Sequence, residues 1–152
     1  MKRAHTVLII LIVIALGSVG WYLASPLFID KVVNEDVIKT GAQQDSQTML
    51  ISQGSFVDAD GFHKTKGTVK IVEKEGKKYV VLEDFEATNG PDLKVYLSDD
   101  TKASNYISLG ELKGNKGNQQ YELSLEENVA NYEYALIWCE QFSVLFGSAK
   151  LE

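Results

Sequence analysis

Residues Tyr132–Leu151 read YEYALIWCEQFSVLFGSAKL, two apolar runs separated by the short polar link Glu140-Gln141. In the first run, alternation puts Ala135, Ile137 and Cys139 on one face and Tyr134, Leu136 and Trp138 on the other. Both faces are apolar, so YALIWC reads as a central strand covered on each side. The second run, FSVLFGSAKL, offers Phe142, Val144 and Phe146 on one face. Together they predict the middle of a β-core, and they hold the only cysteine of the chain.

Upstream, the same texture recurs from Met49 onward. ISQGSF leads into the turn residues Asp60-Gly61; TKGTVKIVE and YVVLEDF flank a turn centred on Glu75-Gly76. LKVYLS follows Pro91, and YISLGELKG and QQYELSL flank a turn at Asn115 to Asn118. Eight short runs with brief links predict an all-β domain over 49–152, an antiparallel β-sandwich of about eight strands. The polar segment 30–48 reads as a stalk.

Ahead of the stalk, Thr6 to Ile29 carries no formal charge over 24 residues. As a helix it would span roughly 36 Å against about 30 Å of hydrocarbon. Trp21 and Tyr22 suit an interfacial belt, and Lys2 and Arg3 precede the run while Asp30, Glu35 and Asp36 follow it. Residues 1–29 therefore read as a cytoplasmic tip and an uncleaved single-pass transmembrane anchor, with membrane contact through 6–29 and the rest of the chain extracytoplasmic. The Ala15-Leu16-Gly17 triplet offers a signal-peptidase alternative, but the apolar run continues well past it.

The whole-chain charge of −6 becomes −8 once Lys2 and Arg3 are set aside, because every Asp and Glu lies beyond the anchor. Such acidity argues against a nucleic-acid partner. One cysteine allows no intramolecular disulfide.

Conventional catalytic sets are sparse, so no hydrolase or transferase machinery is predicted. His63 stands beside the Asp60-Gly61 turn and reads as a loop histidine. Asp58 and Asp60 open like a calcium loop, but the twelfth position is Val69, not glutamate. Glu83, Asp84 and Glu86 cluster near Asp92, which keeps a weak cation site open beside the commoner reading of solvated loop carboxylates, and Gly110, Gly114 and Gly117 fit turns and bulges better than a nucleotide fingerprint. No metal site is predicted. Cys139 has two readings. It is a small hydrophobe in the core, or a thiol beside an apolar pocket flanked by Trp138 and Phe142, where a flat group could bind, thiolate being an axial ligand for haem iron.

Several segments together resemble one family. GSF (Gly54 to Phe56), KGTVKI (Lys66 to Ile71), GPDLKVYLS (Gly90 to Ser98), LGELKG (Leu109 to Gly114), Gly117 with QQYEL (Gln119 to Leu123) and ALIWCEQFSVLFGSAKL (Ala135 to Leu151) resemble, in order and spacing, the DM13 domain. The resemblance implies a β-sandwich related to DOMON-type domains, and bacterial members similar to this chain commonly carry a membrane anchor. It also implies an electron-transfer role through a characteristic cysteine, matched by Cys139, acting as a free thiol or as a ligand to a group such as haem; the cofactor is haem or none. Cys139 is then the redox candidate, with Trp138 and Phe142 as cofactor-binding neighbours, and the partner is another surface or membrane redox protein. The rival expectation is a non-enzymatic surface module that binds an extracellular ligand, with Cys139 in the core and an exposed aromatic patch among Tyr96, Tyr106, Tyr121 and Tyr132.

Overall fold

The computed structural model describes residues 2–25, 29–39, 48–124 and 126–152. Helix α1 (Lys2–Ala24) is followed by eight strands: β1 (Thr48–Asp58), β2 (Thr65–Lys74), β3 (Lys77–Ala87), β4 (Leu93–Ser98), β5 (Tyr106–Glu111), β6 (Gln119–Leu123), β7 (Tyr134–Cys139) and β8 (Val144–Lys150). The eight-strand, all-β expectation holds. The sandwich takes a particular form: one antiparallel sheet, ordered β5-β4-β7-β8-β1-β2-β3-β6, folds over until its edge strands β5 and β6 approach each other.

The fold is made in β1. Its residues 48–55 pair with β2, whereas Phe56 to Asp58 pair with β8, so one strand belongs to both halves. Gly54 stands just before the switch, where a Cβ would collide with the Lys150 carbonyl. Beside it, Gln53 and Glu152 exchange backbone hydrogen bonds of 3.0 and 2.9 Å that fasten the end of the chain across β1.

Between the two halves lies one apolar core. Val69, Ile71, Val80, Leu82 and Phe85 face Val95, Leu97, Ala135, Ile137 and Phe146 across it. β7 is covered on both faces as its composition predicted: Ile137 belongs to this core, while Leu136 on the opposite face is equally buried. Two turn expectations resolve differently. Glu75 and Gly76 take positive φ angles of 52° and 74°, as a two-residue hairpin turn requires. Asp60-Gly61 does not, because the Asp60 carboxylate holds that turn instead, accepting from the Phe62 and His63 backbone N–H groups at 2.7 Å each.

Phe142 departs from its predicted strand. A bulge opposite Ile137 and Trp138 shifts the β7–β8 register, and β8 begins only at Val144, leaving Phe142 in the connecting turn and 63% exposed.

Part of the predicted stalk lies on the domain. Over 31–35 the chain runs beside the turn leading into β6: the Val33 N–H donates to the Lys116 carbonyl and the Glu35 N–H to that of Asn118, each at 2.9 Å. Glu35 also receives Lys113 Nζ at 2.7 Å and the Gln120 N–H at 2.9 Å. Val37 is buried against Val72 and Val81 on the outer face of β2 and β3. A Cβ at Gly117 would collide with the Val33 carbonyl, so glycine there is what lets the strap lie close. Residues 40–47 of the stalk fall outside the described residues.

Within α1, side chains are described at 5–7 and 9–21. Among the described residues no helix is long and apolar enough to cross a membrane. The apolar side chains of α1 that are described point outward, with Val7, Ile9, Leu11, Val13, Leu16 and Trp21 each more than half exposed.

Hydrogen bonds to a charged group contribute about 1.5–3 kcal/mol each when intact, less where solvent reaches the pair. Replacing Glu35 by Ala is therefore expected to raise amide hydrogen exchange at Val33 and at position 35 by at least about tenfold. Exchange in β7 should remain unchanged, which hydrogen-exchange mass spectrometry would check.

Candidate functional site

The residue that sequence singles out, Cys139, is the last residue of β7. Its neighbours across the sheet are Leu93, the first residue of β4, and Val144, the first residue of β8. The thiol is fully buried and packed in the main core, but where three strands end, next to exposed Glu140. Deep burial and marginal position coexist there.

The structure does not gather the three predicted site residues around one space. Trp138 lies on the opposite face of β7 from Cys139, where its ring stacks toward Tyr96 at 6.4 Å between centroids. Phe142 extends from the turn into solvent. None of the three lines any described cavity. A haem bound through Cys139 would need open volume against the sulfur, and tight packing among apolar side chains leaves none, so these residues do not fit the group.

A cavity of about 410 Å³ does open nearby, walled by Ser25, Ile29, Gly90, Pro91, Leu93 and Leu112. Leu93 links the two places, lining this cavity and pairing with Cys139 across β4 and β7. Sequence gave no signal for it, because its walls come from three distant segments. Its rim is held by Asn115, whose Nδ2 donates to Asp30 Oδ1 at 2.8 Å and to the Ala87 carbonyl at 3.2 Å, while its Oδ1 accepts from the Lys31 N–H at 2.7 Å.

Three of the four clustered acidic residues are dispersed into ion pairs. Glu83 meets Lys70 at 2.6 Å, Asp92 meets Lys94 at 2.9 Å, and Glu86 is shared by Lys66 at 2.7 Å and Lys116 at 3.2 Å. The two lysines hold the Glu86 carboxyl below its ordinary range. Among the described residues no group of three or more acidic, histidine or cysteine side chains could hold a metal.

Nor do the four tyrosines make an exposed aromatic patch. Tyr121 is buried, its hydroxyl donating to Gln119 Oε1 at 2.9 Å, and burial pushes its pKa up to about 12. Tyr96 is buried under Tyr106, the rings stacked at 4.2 Å, and desolvation raises its pKa. Tyr132 is half-buried and donates to Glu127 Oε2 at 3.3 Å. Tyr106 alone of the four is exposed.

His63 is a loop residue tied to its neighbours, with Nδ1 2.7 Å from Asp60 Oδ2 and its ring 4.3 Å from that of Phe146.

These features define an all-β domain closed by a shared strand, with one protected thiol at a strand corner and no assembled catalytic set among the described residues. The family pattern described as electron transfer DM13 matches residues 55–151, well over half of the sequence, and the chain belongs to that family. No curated protein and no solved structure matches it.

The His63 N–H, then the His63 ring and the Phe62 N–H, lower the Asp60 pKa from 3.8 to about 2. A depressed carboxylate stabilises its turn fully above the unfolded value and loses that contribution as pH falls through the folded one. The 59–64 turn should therefore persist at pH 3 and loosen near pH 2, and carboxyl-detected NMR titration of Asp60 should give a midpoint of about 2.

Proposed function

We propose that this chain is a membrane-anchored, extracytoplasmic DM13 domain with a redox role carried by Cys139. The observation that carries the redox reading is membership of an electron-transfer family by a chain whose only thiol stands in the matched segment. The anchor is supported by the charge-free run 6–29, by Lys2 and Arg3 ahead of it, and by the outward apolar side chains of α1.

Burial at a strand corner gives the thiol a gated character. Local opening of the 140–143 turn and the first residues of β8 uncovers Cys139 without unfolding the rest of the sheet, because strand ends open at lower free energy than strand centres. The chemistry open to one cysteine is exchange with a partner that carries a disulfide. The Cys139 thiolate attacks one sulfur of that disulfide, a mixed disulfide forms as the old bond breaks, and the other sulfur leaves as thiolate. The electron partner is therefore another surface or membrane protein with a reactive disulfide.

Burial of Cys139 also favours a second reading, in which the sulfur is a core hydrophobe and the domain is a non-enzymatic surface binding module. Maleimide labelling of the full chain in lipid vesicles separates them. Under the first reading Cys139 labels in the native state, slowly, and faster when Leu93→Ala loosens the corner; Cys139→Ser keeps the fold and loses the exchange. Labelling that waits for global unfolding leaves the binding module standing. The absorbance spectrum of the purified chain is expected to show no Soret band.

A further inference from the structure

The described phenylalanines fall into two groups. Phe56, Phe85 and Phe146 are buried in the core, whereas Phe62 is 87% and Phe142 63% exposed. The two exposed rings share one end of the domain. Phe62 is on the turn after β1, Phe142 is on the turn before β8, and the antiparallel pairing of Asp58 with Gly147 sets those turns side by side.

That end is also where the chain arrives from α1. The Phe62 carbonyl accepts from Thr88 Oγ1 at 3.3 Å, and the next residue, Asn89, donates from Nδ2 to Asp30 Oδ1, also at 3.3 Å. On the other side the Glu140 N–H donates to the Asp92 carbonyl at 3.0 Å. Between these contacts the Gly90-Pro91 turn walls the cavity whose far side is Ser25 and Ile29. Both exposed phenylalanine turns thus border the segment that meets the foot of α1. The opposite end of β2 and β3 is the charged hairpin Lys74 to Lys77.

A single exposed apolar side chain is ordinary, but two large exposed rings at one end of a domain gain from a surface that removes them from water. We propose that this end of the domain rests on the outer leaflet, with Phe62 and Phe142 inserted into the boundary between headgroups and acyl chains. The proposal rests on α1 being the membrane anchor. Docking of 31–38 onto the domain strengthens it, since residues that could have formed a tether are held against the sheet. Three lysines at this end are paired with acids, Lys64 with Asp58 at 3.0 Å, Lys94 with Asp92 at 2.9 Å and Lys116 with Asp30 at 2.6 Å. No surplus of basic groups selects anionic lipid, so the surface recognised is apolar insertion beneath zwitterionic headgroups.

The test places nitroxide labels on the full chain, in a Cys139→Ser background, reconstituted in phosphatidylcholine vesicles. Labels enter at Phe62→Cys and Phe142→Cys, with Glu75→Cys at the far end and Ile12→Cys within α1. At 62 and 142, collisions with oxygen are expected to exceed those with a water-soluble nickel chelate, at a depth of about 5–10 Å below the headgroup plane. Position 75 is expected to show the reverse. If 62 and 142 behave like 75 while 12 lies in hydrocarbon, the docked face is overturned and the anchor stands. If 12 also collides freely with the nickel chelate, the anchor falls and the docked face with it. Insertion that occurs only when phosphatidylglycerol is added overturns the apolar basis of the proposal.

Discussion

The architecture depends on one strand serving two partners. β1 leaves β2 after Ser55 and takes up β8 at Phe56, so the two halves of the sheet share a continuous backbone rather than only a packed interface. Each half then buries the apolar face of the other, and the core from Val69 to Phe146 exists because that switch is made. Gly54 permits it, since any side chain there would strike the Lys150 carbonyl. The paired backbone bonds of Gln53 and Glu152 lock the arrangement beside the switch.

From that closure follows the situation of Cys139. Folding the sheet over puts the inward face of β7 at the centre, which removes the thiol from water. The same strand ends at Cys139, and the short 140–143 turn follows it, held by the Glu140 N–H donating to the Asp92 carbonyl at 3.0 Å. A sulfur in this position is shielded from casual oxidation. Trp138, by contrast, is carried to the outer face, into the stack with Tyr96 and Tyr106.

The segment between helix and sheet has a similar double character. By composition it is polar and carries no sustained period, which is why it reads as a stalk. Its backbone nevertheless finds partners at Lys116 and Asn118, and Glu35 satisfies both Lys113 and the Gln120 N–H. Desolvation pushes the Glu35 carboxyl up, but Lys113 and the Gln120 N–H together hold it below its ordinary range. Such contacts depend on surfaces more than 75 residues apart in sequence, among them the space left by Gly117.

The sequence by itself determined the strand content, because period-two alternation and turn residues are local. LKVYLS and YALIWC have the bounds of β4 and β7, and the ordered motifs from Gly54 to Leu151 carried the family. The core placement of Cys139 among alternating apolar residues was one of the two readings the sequence left open. Only the tertiary structure decided that β1 is shared between halves, that Trp138 and Phe142 do not converge on the thiol, and that four tyrosines give one exposed ring. It alone brought Ile29, Pro91 and Leu112 around a cavity and set Phe62 beside the turn of Phe142. The physical reason is that periodicity fixes which way a side chain points from its own strand, whereas what it meets depends on register, bulges and strand order across the sheet.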